Sequence, residues 1–260
     1  MAVTGDYQFD VDGFTFGLGT STSVVSISGL DMPEIDVATN AAGNRHGAST
    51  AGRYLKERTI GLNGRINGSY STFPALRDTL VRAFRPRKTD TDIRFTFRLP
   101  GRTNQYIFVK PVNLRGDIGN SSTAVGWWDF NATLVAQDPR IYTDVLQTAT
   151  LTVAGGAVVL NNGGNFEAPI SISFNGQLTT PRISNATTGE NFGLLGNVDL
   201  AQSVVADTLN NTVLLGATSK YSTINPAFKT WLELAPGNNS LTLLGTGTGN
   251  AVVSWRSTSI

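Results

Sequence analysis

The chain has no cysteine, one histidine, two methionines and charged residues at only 15% of its 260 positions. Without cysteine there is no disulfide, no thiolate metal site and no thiol nucleophile, so the sequence carries no sign of an oxidising compartment. A single histidine leaves little room for zinc, which takes several His or Cys ligands, and a Ser-His-Asp triad would have to be built on that one residue. It is His46, in the run Ala41-Ala42-Gly43-Asn44-Arg45-His46-Gly47-Ala48, whose small polar neighbours read as an exposed loop rather than a frame that orients a general base. Long apolar runs are missing too. The longest, near Leu151 to Leu160, is too short and Gly-rich to cross a bilayer, and the start, Met1-Ala2-Val3-Thr4-Gly5-Asp6, lacks the basic and apolar regions of a secretory signal. No catalytic, cofactor-binding or metal-ligating set is expected, and no membrane partner.

What is present is turn chemistry. There are 28 glycines, Thr, Ser and Asn abound, and 40% of residues are hydrophobic, the balance of many short strands joined by turns around a real core. Charge is unevenly placed: residues 1–143 hold 16 Lys/Arg and 13 Asp/Glu, whereas residues 144–260 hold 4 and 6. That contrast, with a change of texture after Asp138-Pro139-Arg140, predicts a mainly β chain of two domains, residues 1–146 and 147–260, with Asp138, Pro139 and Arg140 at the junction.

Alternation of apolar and polar residues locates the strands. Tyr7 to Gly17 alternates on both sides of Asp12-Gly13, a pair suited to a two-residue hairpin turn. Ser23 to Ser28, Thr59 to Ile66 and Asp92 to Leu99 alternate as well; in the last, Ile93, Phe95, Phe97 and Leu99 share one face and Arg94, Thr96 and Arg98 the other. Gly101 to Asn104 turns the chain into Gln105 to Val109, and a strand from Trp127 to Ala136 follows. One segment, Pro74 to Arg85, has helical spacing, with Thr72 or Ser71 as expected cap and Pro86 as stop. Beyond residue 140, turn signals such as Asn162-Gly163-Gly164, Asn175-Gly176 and Pro236-Gly237-Asn238 recur without any helical period. They predict an all-β sandwich or jelly roll whose strands include Ala168 to Phe174, Asn211 to Leu215, Thr230 to Leu234, Ser240 to Leu244 and Ala251 to Arg256.

The motifs that resemble chemical sites mostly dissolve. Asp10-Val11-Asp12-Gly13 opens like a calcium loop, but Phe14 follows and no glutamate closes twelve residues, so it reads as a turn. Gly245-Thr246-Gly247-Thr248-Gly249 lacks the Lys-Ser/Thr and the helix of a phosphate loop. Eight Lys/Arg fall between Arg77 and Arg102, but without the stacking aromatics of a single-strand binder, so they read as solvated surface or as ion pairs between subunits. Of Trp127, Trp128, Trp231 and Trp255, three sit in alternating strands and read as core; Trp231 is kept as a candidate glycan contact.

Four features in order resemble the distal tail protein family of long-tailed, non-contractile bacteriophages. They are the Phe9-to-Gly17 hairpin, a Gly-rich loop around Gly43 to Gly52 leading into Arg58-Thr59-Ile60-Gly61-Leu62-Asn63-Gly64-Arg65-Ile66, the single helix ending near Pro86, and a strand running into Gln137-Asp138-Pro139-Arg140-Ile141-Tyr142. Asn162-Gly163-Gly164, Ala168-Pro169-Ile170-Ser171-Ile172, Trp231 to Asn239 and Val253-Ser254-Trp255-Arg256 resemble that family's galectin-like sandwich. The second half has no long insertion of the kind that carries added carbohydrate-binding modules in enlarged members. The resemblance implies a non-enzymatic structural protein at the virion tail tip, made in the host bacterial cytoplasm. It would form a hexameric ring joining the tail tube to tip or baseplate hub proteins, near the tape-measure protein, with DNA passing only in transit. It further implies a ring-forming first domain in which the Asp92–Val109 hairpin pairs its edge with a neighbour. Arg94, Arg98, Arg102, Phe95 and Phe97 are then the candidate interface residues, with ionic partners for the three arginines across the interface. A carbohydrate-binding adhesin, and a tail-tube or terminator ring protein, are the competing readings.

Overall fold

Alternating side chains dictate most of the architecture. The structure, a computed structural model, describes residues 3–41, 48–89, 91–117, 119 and 126–260, and the His46 loop lies outside them. The chain is mainly β and divides into two compact units, Met1–Ile141 with Ile260, and Tyr142–Ser259. Among the described residues, no helix is long and apolar enough to cross a membrane.

In the first unit the elements are β1 (Gln8–Val11), β2 (Phe14–Gly17), β3 (Thr22–Ser28), β4 (Ile35–Ala41), β5 (Ala48–Leu55), β6 (Arg58–Asn67), α1 (Phe73–Ala83), β7 (Ile93–Arg98), β8 (Gln105–Arg115) and β9 (Trp127–Ala136). The β1–β2 turn is made as its sequence predicts, with Asp12 at φ 52° and Gly13 at φ 80°. Antiparallel pairing runs β2-β1-β7-β8-β9-β6-β3. The two ends of that path are consecutive in the chain, so the sheet curls around a single core. There Phe9 stacks on Phe16 and Phe95 at centroid distances of 5.7 and 6.0 Å, and Ile60, Leu62, Phe130 and Leu134 belong to the same buried cluster.

Helix α1 lays Phe73, Leu80 and Ala83 into this core, and Pro74 sits in its first turn. The expected cap is corrected. Thr72 is in a helical conformation and makes no cap bond, because its hydroxyl already accepts the Ser69 amide at 2.8 Å in the turn before the helix.

The chain passes into the second unit along β10 (Ile141–Thr143). The sandwich strands are β11 (Gln147–Thr152), β12 (Val158–Asn162), β13 (Ala168–Asn175), β14 (Leu178–Asn185), β15 (Asn191–Leu194), β16 (Asn197–Val198), β17 (Ser203–Asp207), β18 (Thr212–Leu215) and β19 (Thr218–Ser219). A short 3-10 turn at Tyr221–Thr223 leads to β20 (Ile224–Lys229), β21 (Glu233–Leu234), β22 (Gly237–Gly247), β23 (Asn250–Trp255) and β24 (Thr258–Ser259). One sheet runs β11-β23-β13-β17-β18-β19, the other β12-β22-β14-β15-β20, and their inward residues meet in one core of Ile170, Ile172, Phe174, Ile183, Phe192, Leu241 and Val253. The strand expected at Thr230 to Leu234 is reduced to Glu233–Leu234; the longer strand there is β20, whose Asn225-Pro226 start breaks the alternation a reader looks for.

The asparagines of the turn motifs are structural pins. Asn162, fully buried, donates to the Phe166 and Leu234 carbonyls at 2.7 and 3.0 Å and accepts from Gly164 and Thr258. Asn239, also buried, donates to Ala235 and Gly237 and accepts from the Ala235 amide and the Asn185 side chain. Each side chain satisfies backbone groups that irregular loops would otherwise bury unpaired.

Candidate assembly site

One hairpin of the first unit stands apart. Strands β4 and β5 form a two-stranded sheet by themselves, and among the described residues they pair with no other strand. Register places Ile35 opposite Leu55, Asp36 opposite Tyr54, Val37 opposite Arg53 and Ala38 opposite Gly52. Residues of opposite parity point to opposite faces, and both faces are open: Ile35 is 40% exposed, Val37 44% and Tyr54 73%, with Asp36, Ala38 and Arg53 also exposed. A lone two-stranded hairpin is marginal in water, so an arm of this kind is completed only by something outside its own sheet.

The base of the arm is held firmly. Arg58, first residue of β6, is 2% exposed and donates to the carbonyls of Pro139 at 3.0 Å, Gly29 at 2.8 Å and Asp31. Burial holds its pKa below the ordinary arginine value, with Asp31 opposing in part. Gly29 is required here: its φ is +82°, and a Cβ would meet the Thr59 carbonyl oxygen at 2.0 Å. Just above, the Lys56 amide bonds the Glu34 carbonyl at 2.8 Å and Lys56 Nζ pairs with Glu34 at 2.9 Å, a contact that raises the lysine pKa.

The residues expected at an interface are distributed differently. Phe95 and Phe97 are corrected: both are buried, at 0% and 1% exposure, because β7 lies between β1 and β8 and turns its aromatic face into the core. Flanked on both sides, β7 also has no free edge, so the expected pairing of the Asp92–Val109 hairpin does not involve this strand. Arg98 has its ionic partner inside the chain. Pairing of Gln8 opposite Arg98 brings the preceding Asp6 alongside, and Arg98 Nε meets its carboxylate at 3.0 Å. Arg94 lies over the Tyr106 ring at 4.0 Å. Arg102 is exposed in the Gly101 turn and forms no ion pair among the described residues.

Other expected residues are placed as follows. Asp138 and Arg140 form a tight turn, with Arg140 Nε at 2.9 Å from the Asp138 carboxylate, and Pro139 supplies the carbonyl that Arg58 binds. Trp231 is half-buried and stacks on Phe192 at 5.1 Å, with Tyr221 at 6.2 Å. Trp128 and Trp255 are core residues, and Trp255 donates to the Asn161 carbonyl at 3.0 Å. Trp127 lies on the outer face of β9 under Arg65, which pairs through two bonds with Asp129 at 2.6 and 2.9 Å. That hydrogen-bonded contact raises the Arg65 pKa and holds the Asp129 carboxyl below its ordinary value.

Sequence reasoning missed the arm and Arg58. The arm strands are rich in Ala, Ser, Thr and Gly and bracket a Gly-Asn stretch, so they read as a loop. The available signal was the short apolar stretches on either side of it, Ile35 and Val37 before and Tyr54 and Leu55 after, of which Ile35 comes to lie opposite Leu55.

Known proteins agree on what this arrangement is similar to. Residues 163–258 match the family described as siphovirus-type tail component, C-terminal domain. No curated protein matches by sequence. Among solved structures, SPP1 Dit, described as a paradigm of the hub adsorption apparatus in phages infecting Gram-positive bacteria, aligns at TM-score 0.70 and 14% identity, covering 95% of this chain and 97% of its own. Chains of the phage P2 baseplate in its activated conformation, with Ca and with Sr, align at TM-scores of 0.52 and 0.53 and 10% and 9% identity, with the same coverage of 95% and 97%. The resemblance to the distal tail protein family therefore holds on two counts: residues 163–258 match the model of the siphovirus-type tail component C-terminal domain, and the chain shares its fold with SPP1 Dit.

Proposed function

We propose that this protein is a structural, non-enzymatic hub of a phage tail tip. Copies assemble through the first unit into a hexameric ring that joins the tail tube to tip or baseplate proteins and lets DNA pass through its channel. In this reading residues 1–146 are the ring-forming domain and residues 147–260 a galectin-like sandwich. Synthesis takes place in the host cytoplasm and the finished protein sits in the virion tail.

The observation that carries the reading is the β4–β5 arm: a hairpin open on both faces, with apolar residues on each, fixed at its base by buried Arg58. Such an arm gains its packing from a neighbouring copy, and head-to-tail contacts of that kind close into rings when the rotation allows. The match of residues 163–258 and the fold shared with SPP1 Dit support the same assignment.

The test is the stoichiometry of the purified protein by mass photometry and negative-stain microscopy. Annular hexamers are expected. A protein that stays monomeric at high concentration and within assembled tails overturns the proposal.

A further inference from the structure

We propose that the second unit binds a small anionic polyol, such as a uronic acid or a polyol phosphate, in a cavity on the outer side of the β14–β15–β20 sheet. The cavity measures about 340 Å³ and is lined by Thr180, Arg182, Leu194, Asn225, Phe228 and Leu244, among others. It belongs to the second unit and shares no residue with the arm, so its failure would leave the assembly proposal untouched.

Two irregularities of the ladder shape it. Strand β14 steps from Thr179 opposite Thr246 to Arg182 opposite Leu244, so one extra residue is accommodated, and Thr180 adopts φ 44°. Positive φ at a β-branched residue is a strained conformation that the surrounding structure must impose. On the other side, Phe192 faces Lys229 while Leu194 faces Ile224, so the segment between Ile224 and Lys229 bows out of the sheet. Asn225 and Phe228 sit on that bow. Bulges of this kind re-aim side chains beside binding sites, and here two of them border one cavity.

The chemistry of the lining is one-sided. Arg182 is half-buried, its guanidinium lies 4.3 Å from the centroid of the Phe228 ring, and it has no hydrogen bond or ion pair among the described residues. Contact with the ring holds the guanidinium in place and leaves its N–H fork open to a carboxylate or phosphate. Asn225 accepts the Ala227 amide through Oδ1 at 3.0 Å, which orients its NH2 group and leaves it unused among the described residues. No Asp or Glu lines the cavity. An anion for Arg182, hydroxyls for Asn225 and Thr180, and a carbon skeleton against Leu244 describe a charged polyol.

The intact protein should be titrated with glucuronate and with glycerol phosphate, against glucose, acetate and inorganic phosphate, by calorimetry and saturation-transfer NMR. At least one charged polyol is expected to bind, and which one responds separates a uronic acid from a polyol phosphate. Arg182→Gln is expected to weaken that binding about tenfold or more, and Arg182→Lys, which keeps the charge without the fork, to fall between. An unchanged thermal midpoint shows that the variants fold; if Arg182→Gln does not, Arg182→Lys carries the measurement. No binding of either polyol, equal binding of glucose, binding of acetate or inorganic phosphate as tightly as the polyol, or full binding by Arg182→Gln would overturn the site.

Discussion

Two hairpins of the first unit, built from neighbouring stretches of chain, end in opposite situations. The β1–β2 hairpin buries Phe9, Val11 and Phe16 and gives its β1 edge to β7, so its aromatic face is completed within the subunit. Among the described residues the β4–β5 hairpin pairs only with itself, and it leaves Ile35, Val37 and Tyr54 open. The first is what a fold needs to stand alone; the second is the one proposed to be completed by a neighbouring copy. The difference lies in composition. Large aromatics at alternate positions commit β1 and β2 to a core, whereas the small residues and short apolar pairs of β4 and β5 can stabilise an interface without forcing burial in the monomer.

Substitutions can break or sharpen that contrast. Phe95→Ala, beneath the β1–β2 hairpin, should have the largest effect, about 3–5 kcal/mol of stability lost in denaturant unfolding, because it leaves a cavity against Phe9 and Phe97. Arg58→Ala should follow, on the order of 3 kcal/mol, since the carbonyls of Gly29, Asp31 and Pro139 lose a charged donor in a buried place. Hydrogen exchange should then rise first at the base of the arm. Val37→Asp together with Ile35→Asp should change the stability of the dissociated subunit by less than about 0.5 kcal/mol yet abolish ring formation in mass photometry. A large loss of monomer stability would mean that the arm packs on its own subunit.

The smallest effect belongs to Asp129. Its carboxyl is held below the ordinary value by Arg65, so the pair stabilises above the usual carboxylate range, and the benefit fades as pH falls through the lowered value. Both side chains are about half exposed, so Asp129→Asn should cost little, and high salt should erase the difference between variant and parent in acid titrations followed by circular dichroism.

The parts of the fold legible in the sequence are those where side-chain alternation and turn chemistry agree. Asp12-Gly13 announced its hairpin, and Ile93, Phe95 and Phe97 announced an inward face. That same alternation could not tell whether the inward face meets the chain's own core or a neighbour, and so Phe95 and Phe97 were expected at an interface they cannot reach. Arg98 shows the complementary limit. A basic strand face is visible in sequence, but Asp6 comes beside it only through the β1–β7 register, from a residue 92 positions away.

By itself the sequence determined a cysteine-free, mainly β chain, with charge concentrated before Asp138 and turns closed by Gly and Asn after it, because composition and local periodicity are properties of neighbouring residues. Only the tertiary structure decided that the small-residue stretch before Arg58 is a free-standing arm, that Arg58 is buried to anchor it, and that Arg182 and Phe228 come together across two bulged strands. Those arrangements depend on strand order and register, which bring distant residues together and leave no mark on the local pattern.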